Sequence, residues 1–282
     1  MKKWFGVLLA VALCAALFCV GADATGGTMT GGGTAEDPYI VMDAADLDAV
    51  RDNLGAYYEL GADIDLGGEE WTPIGSSGQP FTGTFDGDGH TISGLNVNSS
   101  YAGLFGFISG GTVKNLAVRG NVNGGSRAGG IVAETSDKAS IENCSYSGSV
   151  ISRSHAGGIA GYNSDSNISG CYNSASVSVE TSNLGSSYCG GIAGYNDAWD
   201  ADAKITDCYN AGKVHGMALG SGYNAYTGGI AGYSRMGTAA EIKNCYNTGA
   251  VSAETVYNAM AITGGIVGSG SGTITGSYYL DT

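Results

Sequence analysis

The chain of 282 residues carries 26 acidic against 12 basic side chains, a formal net charge of −14, and is 43% hydrophobic but only 13% charged. Such acidity repels phosphate backbones and anionic lipid surfaces, which excludes nucleic acid as an expected partner, while the apolar content is that of a folding chain. Its fifty glycines would read as low complexity were they not in register with Ile, Val, Leu and Tyr.

Lys2 and Lys3 precede an apolar run from Trp4 to Val20 and the small-residue site Ala22-Asp23-Ala24, so residues 1–24 read as a secretory signal cleaved before Thr25. Cleavage would remove two lysines and one aspartate and move the net charge from −14 to −15. Cys14 and Cys19 follow bulky Leu13 and Phe18, which argues against lipid attachment. No later stretch offers the ~20 apolar residues of a spanning helix, so no membrane insertion of the mature chain is expected. Residues 25–34 read as a Gly/Thr linker.

Residues 35–102 read as an N-terminal cap and opening coils. Asp37-Pro38-Tyr39-Ile40-Val41 signals a strand, and Asp43 is placed to cap a short helix reaching Asn53, with Leu47, Val50 and Leu54 on one side. A helix there would cover an open end of a stack. Short alternating strands and turns follow, from Tyr57 to Leu95.

Residues 103–282 repeat themselves. Gly-Gly-Ile-Ala-Gly-Tyr recurs at 157–162, 190–195 and 228–233, followed by Ile-x-x-Cys-Tyr-Asn at 168–173, 205–210 and 242–247. Weaker copies begin at Gly103, Gly129 and Gly264. The apolar residue after the glycines falls at 104, 131, 159, 192, 230 and 266, steps of 27, 28, 33, 38 and 36, the range of solenoid units. Apolar runs of three to five residues rich in Ile and Val leave no room for helices of ~10 residues. Short strands recurring once per unit predict an all-β fold, a parallel β-helix.

The run Asp63-Ile64-Asp65-Leu66, Trp71-x-Pro73-Ile74-Gly75 and Phe81-x-Gly83-x-Phe85-Asp86-Gly87-x-Gly89-His90-x-Ile92-x-Gly94-Leu95, then Gly103-Leu104-Phe105-Gly106 and the repeated Gly-Gly-Ile-x-Gly, resembles bacterial surface proteins with GLUG motifs. These include the region outside the catalytic domain of some IgA-specific metallopeptidases. The resemblance covers about Gly31 to Thr282 and implies a secreted, often wall-attached protein with a right-handed parallel β-helix. It does not carry the peptidase activity over, because the zinc helix His-Glu-x-x-His is missing and His90, His155 and His215 are scattered. No sorting signal follows Thr282, so the expected setting is one piece of a larger or wall-associated assembly at the cell surface.

Cys144, Cys171, Cys208 and Cys245 occupy one slot of successive units, and Cys189 lies apart. Stacked at ~4.8 Å they form a line, which cannot converge on a tetrahedral zinc. They are expected as buried free thiols.

Asp86-Gly87-Asp88-Gly89 offers a calcium alternative at Asp86 and Asp88, set against a tight turn that selects the same residues. Asp63 and Asp65 should both point outward around an inward Ile64. Asp65 with Asp86 is the acid/base pair that a polysaccharide lyase or hydrolase would use, but Arg51, Arg119 and Arg127 show no partners in the sequence. The expectation is therefore no catalytic residues and no cofactor.

The Tyr-Asn after each cysteine reads either as a sugar-stacking row or as an Asn ladder in a turn with Tyr packed over it, and recurrence in every unit favours the ladder. The distance from the cysteine slot to the next Gly-Gly-Ile grows from 15 to 21, 22 and 21 residues. The enlarged loops 179–188, 217–226 and 253–261 should stand side by side and gather Tyr188, Tyr223, Tyr226 and Tyr257. A smaller insertion, 197–202, adds an acidic rim with an exposed Trp199. This flank is the expected binding site of a non-catalytic adhesion module, with a host matrix protein, mucin or surface glycan as partner. The alternatives are the polysaccharide-active enzyme and a structural spacer.

Overall fold

The computed structural model describes residues 29–181, 185–236, 239–256 and 258–280. The proposed leader and Tyr257 lie outside them. The named strands pair only in parallel, in stacked faces of nine, fifteen and six strands, and each coil hydrogen-bonds to the next. This is a parallel β-helix.

The core grows from single columns. Tyr58, Phe85, Val113, Ile141, Ile168, Ile205 and Ile242 stack inward on one face. The chain then turns at Asn115, Asn143, Gly170, Asp207, Asn244 and Gly276, all with φ between 51° and 61°. That left-handed backbone is open to Gly and tolerated by Asn and Asp, which explains the residue choice before each cysteine.

At the N-terminal end a helix spans Ala44–Ala49 and continues as a 3-10 turn, Val50–Asp52. Asp43 caps it, accepting from the amides of Ala45 and Asp46 at 2.9 Å. Leu47 and Val50 are fully buried in the same core as Tyr58. Part of the expected linker is bound to the first coil instead. The Ile40 amide donates to the Thr30 carbonyl at 2.8 Å, and the Tyr57 amide to that of Gly33 at 3.0 Å.

Among the described residues the five cysteines are free and buried. The thiols of Cys144, Cys171, Cys208 and Cys245 each donate to the carbonyl two residues earlier, at 3.3, 3.3, 3.1 and 3.3 Å. Burial pushes Cys171, Cys189 and Cys208 up, and hydrogen bonding with Cys208 together with burial does so for Cys245. The reactive thiolate is thereby suppressed.

Asn173, Asn210 and Asn247 point into the core from the strands, not from a turn, and the tyrosine before each faces outward instead of packing over it. The Asn173 amide donates to Asn210 at 2.7 Å and the Asn210 amide to Asn247 at 2.8 Å. Each amide also bonds its own backbone two residues on, so every polar atom is satisfied. The second glycine of the pair is set by this ladder at Gly158, Gly191 and Gly229. A Cβ at Gly191 would lie 2.3 Å from the Asn210 side chain and 2.2 Å from the Gly229 carbonyl.

Asn210→Ala should lower stability by about 2–4 kcal/mol, because it strips partners from two buried asparagines and two backbone groups at once. Urea unfolding measures this. With a disulfide-exchange reagent, a native chain beginning at Thr25 should react at none of its five thiols and the unfolded chain at all five. A lower titre on unfolding would show that some are bridged.

Candidate functional site

Two outward columns run side by side along the stack. Tyr101, Arg127, His155, Tyr188 and Tyr226 succeed one another in the first. Phe107, Glu134, Tyr162, Tyr195 and Tyr233 form the second. Between them each coil turns at its Gly-Gly-Ile-x-Gly corner. The last glycine lets coils meet there, since a Cβ at Gly194 would fall 2.6 Å from the Gly161 carbonyl.

The rings interlock. Along the columns His155 stacks on Tyr188 at 4.8 Å, Tyr188 on Tyr226 at 5.4 Å, Tyr162 on Tyr195 at 5.0 Å and Tyr195 on Tyr233 at 5.1 Å. Across the columns Tyr188 meets Tyr195 edge-on at 5.0 Å, and Tyr226 meets Tyr233 at 5.3 Å. Stacking covers the faces of the inner rings and leaves their edges at the surface.

The charges on the strip are matched. Arg127 lies 4.3 Å over the Tyr162 ring and is ion-paired with Glu134. Arg235 grips Asp197 with two bonds of 2.8 and 2.9 Å and lies 4.4 Å from the Trp199 ring. The Tyr162 hydroxyl also donates to Asp197. Burial and the neighbouring Arg127 push the His155 imidazole down to about 3, so it is neutral. Burial raises the phenols of Tyr162, Tyr188 and Tyr195.

Trp199 is 62% exposed. Its loop is held by Asp165, whose carboxylate accepts from the amides of Trp199, Asp200 and Ala201 at 2.7, 3.0 and 3.0 Å. With one face against Arg235, the indole turns an aromatic surface to solvent. Beside the loop Lys138, Asn167, Asp200, Asp202 and Lys204 line a shallow depression of about 460 Å³.

The expected flank is thus partly rearranged. Tyr188 and Tyr226 come together, but on strands Ser187–Gly190 and Ala225–Gly228 and not on loops. Tyr223 is exposed at a turn whose amide bonds the Gly220 carbonyl, apart from the stacked rings. The loops themselves are neighbours: the Ser187 amide donates to Asn224 at 2.9 Å and that of Ala225 to Met260 at 3.0 Å. Asp197 belongs to no acidic rim, because it is 2% exposed and paired with Arg235. His155, Tyr162, Tyr195 and Tyr233 are additions to the flank. The tyrosines stand three places after Ile159, Ile192 and Ile230, so their common slot was the available signal.

A family model for the GLUG motif matches residues 152–178, which hold His155, the Gly-Gly-Ile corner and Tyr162. The chain carries the GLUG motif. A protein of Evansella cellulosilytica, provisionally described as a Gly-rich membrane protein, is 42% identical over 32% of this chain and 12% of its own length. Halomucin of Haloquadratum walsbyi is 34% identical over 38% of this chain and 2% of its own. The chain therefore spans only a small fraction of these relatives. A Bacteroides ovatus structure provisionally assigned as an immunoglobulin A1 protease superposes with a TM-score of 0.69 at 28% identity, covering 89% of this chain and 78% of that one. An IgA1 protease structure shares the fold alone, with a TM-score of 0.52, 18% identity, and coverage of 84% of this chain and 21% of its own.

The carboxylates of the opening coils lie apart from the GLUG strip. Asp63 and Asp65 flank buried Ile64 and share a shallow depression with Thr91, Ser93 and Arg119, so Arg119 has acidic neighbours. Asp86 is elsewhere, bonded to Lys114 and Asn115 at 2.9 and 3.0 Å, and accepts the Asp88 amide at 3.0 Å in a turn. Arg51 pairs with Asp48 and lies over Trp71. Among the described residues no group of three or more His, Cys, Asp and Glu could hold a metal ion.

His155 binds no proton in the fold until about pH 3, whereas the unfolded chain protonates it near ~6.5. Stability is therefore full above ~6.5 and falls with pH below it, by at most ~1.4 kcal/mol per unit for this one group. His155→Tyr, which continues the ring column, should gain on the wild type from pH 6 to 4 and hold a constant difference above 7. Thermal unfolding across that range tests this, and parallel profiles would refute a buried neutral imidazole.

Proposed function

We propose that the chain is a non-catalytic repeat module displayed at a cell surface, where the Tyr–Trp flank binds a glycan chain such as a mucin or a surface polysaccharide. The observation that carries this reading is Trp199, a large aromatic surface presented to solvent by a loop anchored at three amides. Exposed aromatic faces pair with apolar sugar faces, and aromatic anchors dominate binding energies. The stacked tyrosines support it as a rigid rail whose edges repeat once per coil. A membrane protein and a mucin-named protein among the relatives fit a surface setting. The net charge of −14 disfavours strongly acidic polymers.

Incubation of the mature chain with mucins, matrix proteins and neutral and acidic polysaccharides, scoring retained protein and newly formed polymer ends, tests the reading. Retention without new ends is expected, weakened by about thirtyfold, or ~2 kcal/mol, in Trp199→Ala. New ends would refute the non-catalytic reading and direct attention to Asp63, Asp65 and Arg119.

A further inference from the structure

The geometry points to a second carbohydrate subsite, a pocket for one uncharged sugar ring at the N-terminal head of the aromatic strip. It deepens the flank reading and rests on it. Tyr101 and Phe107 begin the two outward columns, but their next neighbours are Arg127 and Glu134, so aromatic stacking is interrupted one coil above His155 and Tyr162. Tyr101 is 39% exposed, and among the described residues no ring stacks on it.

Beside these rings lies a cavity of about 240 Å³ lined by Thr72, Pro73, Ser76, Ser77, Tyr101 and Phe107, with Ser99 at its edge. Drug-sized ligands need ~300–1,000 Å³, so it suits a single ring. Two glycines make its floor. Gly75 has a φ of 77°, and a Cβ there would lie 2.6 Å from the Phe107 carbonyl; one at Gly106 would lie 2.5 Å from that of Gly75. A rigid turn forms one side, where Ser76 and Gln79 exchange backbone bonds of 2.8 and 3.1 Å and hold Ser77 at the tip.

The lining selects its ligand. Two aromatic rings and a proline offer apolar walls, and four hydroxyls from Thr72, Ser76, Ser77 and Ser99 edge them. The Ser76 hydroxyl already accepts from the Gln79 amide at 3.2 Å, and a hydrocarbon would give those of Thr72, Ser77 and Ser99 no partner. An ionised ligand would find no free counter-charge, since no lining residue is charged and the nearby Arg127, 5.6 Å from the Tyr101 ring, is paired with Glu134. A pyranose, with an apolar C–H face and a hydroxyl rim, meets both demands. The arrangement places this subsite at the head of the column that runs on to Tyr188 and Tyr226, where a longer glycan would continue.

Calorimetric titration of the full mature chain with a neutral β-linked glucose disaccharide, the corresponding hexasaccharide and an oligogalacturonate tests the pocket. Two variants act on it without touching the core: Tyr101→Ala removes the wall, and Ser77→Trp fills the cavity from the exposed turn. Both should weaken the disaccharide at least tenfold with unchanged circular dichroism, and the oligogalacturonate should bind worse than the neutral sugars. Disaccharide affinity unchanged in both variants, or a preference for the acidic oligomer, overturns the proposal. A hexasaccharide bound equally by wild type and both variants overturns the pocket but leaves the Trp199 flank standing. If the wild type binds neither neutral sugar, both readings fall.

Discussion

Every feature of this protein depends on the registered hydrogen bonding of each coil to the next. In such a stack a side chain's nearest neighbour is the residue at the same slot one coil away, so a slot accepts only residues that tolerate their own kind at ~4.8 Å. Isoleucine does so by packing, as the column Ile141, Ile168, Ile205 and Ile242 shows. Asparagine does so by chemistry: its amide is donor and acceptor at once, so a buried row satisfies itself. A carboxylate row could not, and Asp207 appears between a glycine and an asparagine, accepting from Asn244 at 3.1 Å. The second buried row follows the same rule from Thr135 through Asn163 and Asn196 to Ser234.

Glycine has the complementary role. Where a coil turns against a neighbouring backbone there is no space for a Cβ, and the positions repeat because the turn repeats. A Cβ at Gly157, Gly190 or Gly228 would come within 1.9–2.0 Å of the carbonyl three residues on. Thus the Gly-Gly-Ile-x-Gly motif records a packing requirement at each of its glycines. The same close approach lets two columns of rings interlock on the outside.

The fold was legible because its determinants are periodic: the Ile, Cys and Asn slots, the glycine corners and the helix-capping Asp43 can all be placed by counting residues. The flank was read less well. Insertion lengths gathered Tyr188 and Tyr226 on one flank, but in this structure part of each insertion is strand, so the two lie on a sheet with His155. Asp197 looked solvated because its partner Arg235 is 38 residues away, one coil on. Pairings between coils of unequal length cannot be read from spacing alone, and this also hid the depression that Asp63 shares with Arg119 and the approach of Arg127 to the Tyr101 ring.

Recurrence separates the structural surface from the one proposed to recognise a ligand. Tyr172, Tyr209 and Tyr246 stack at 5.3 and 5.6 Å on another side of the helix, one per coil. Each such row meets its own contact requirement, ring on ring, and therefore stabilises the stack with any ligand absent. A ligand needs what such a row withholds, an aromatic face on which no other ring is stacked. That condition is met where the period breaks: at Trp199, inserted within one coil, and at Tyr101, where the next residue in the column is an arginine already paired with Glu134. The regular rungs fix the distance between these two irregular places, so a chain-like ligand spanning them would meet a rigid rail instead of having to order one, which lowers the entropic cost of binding.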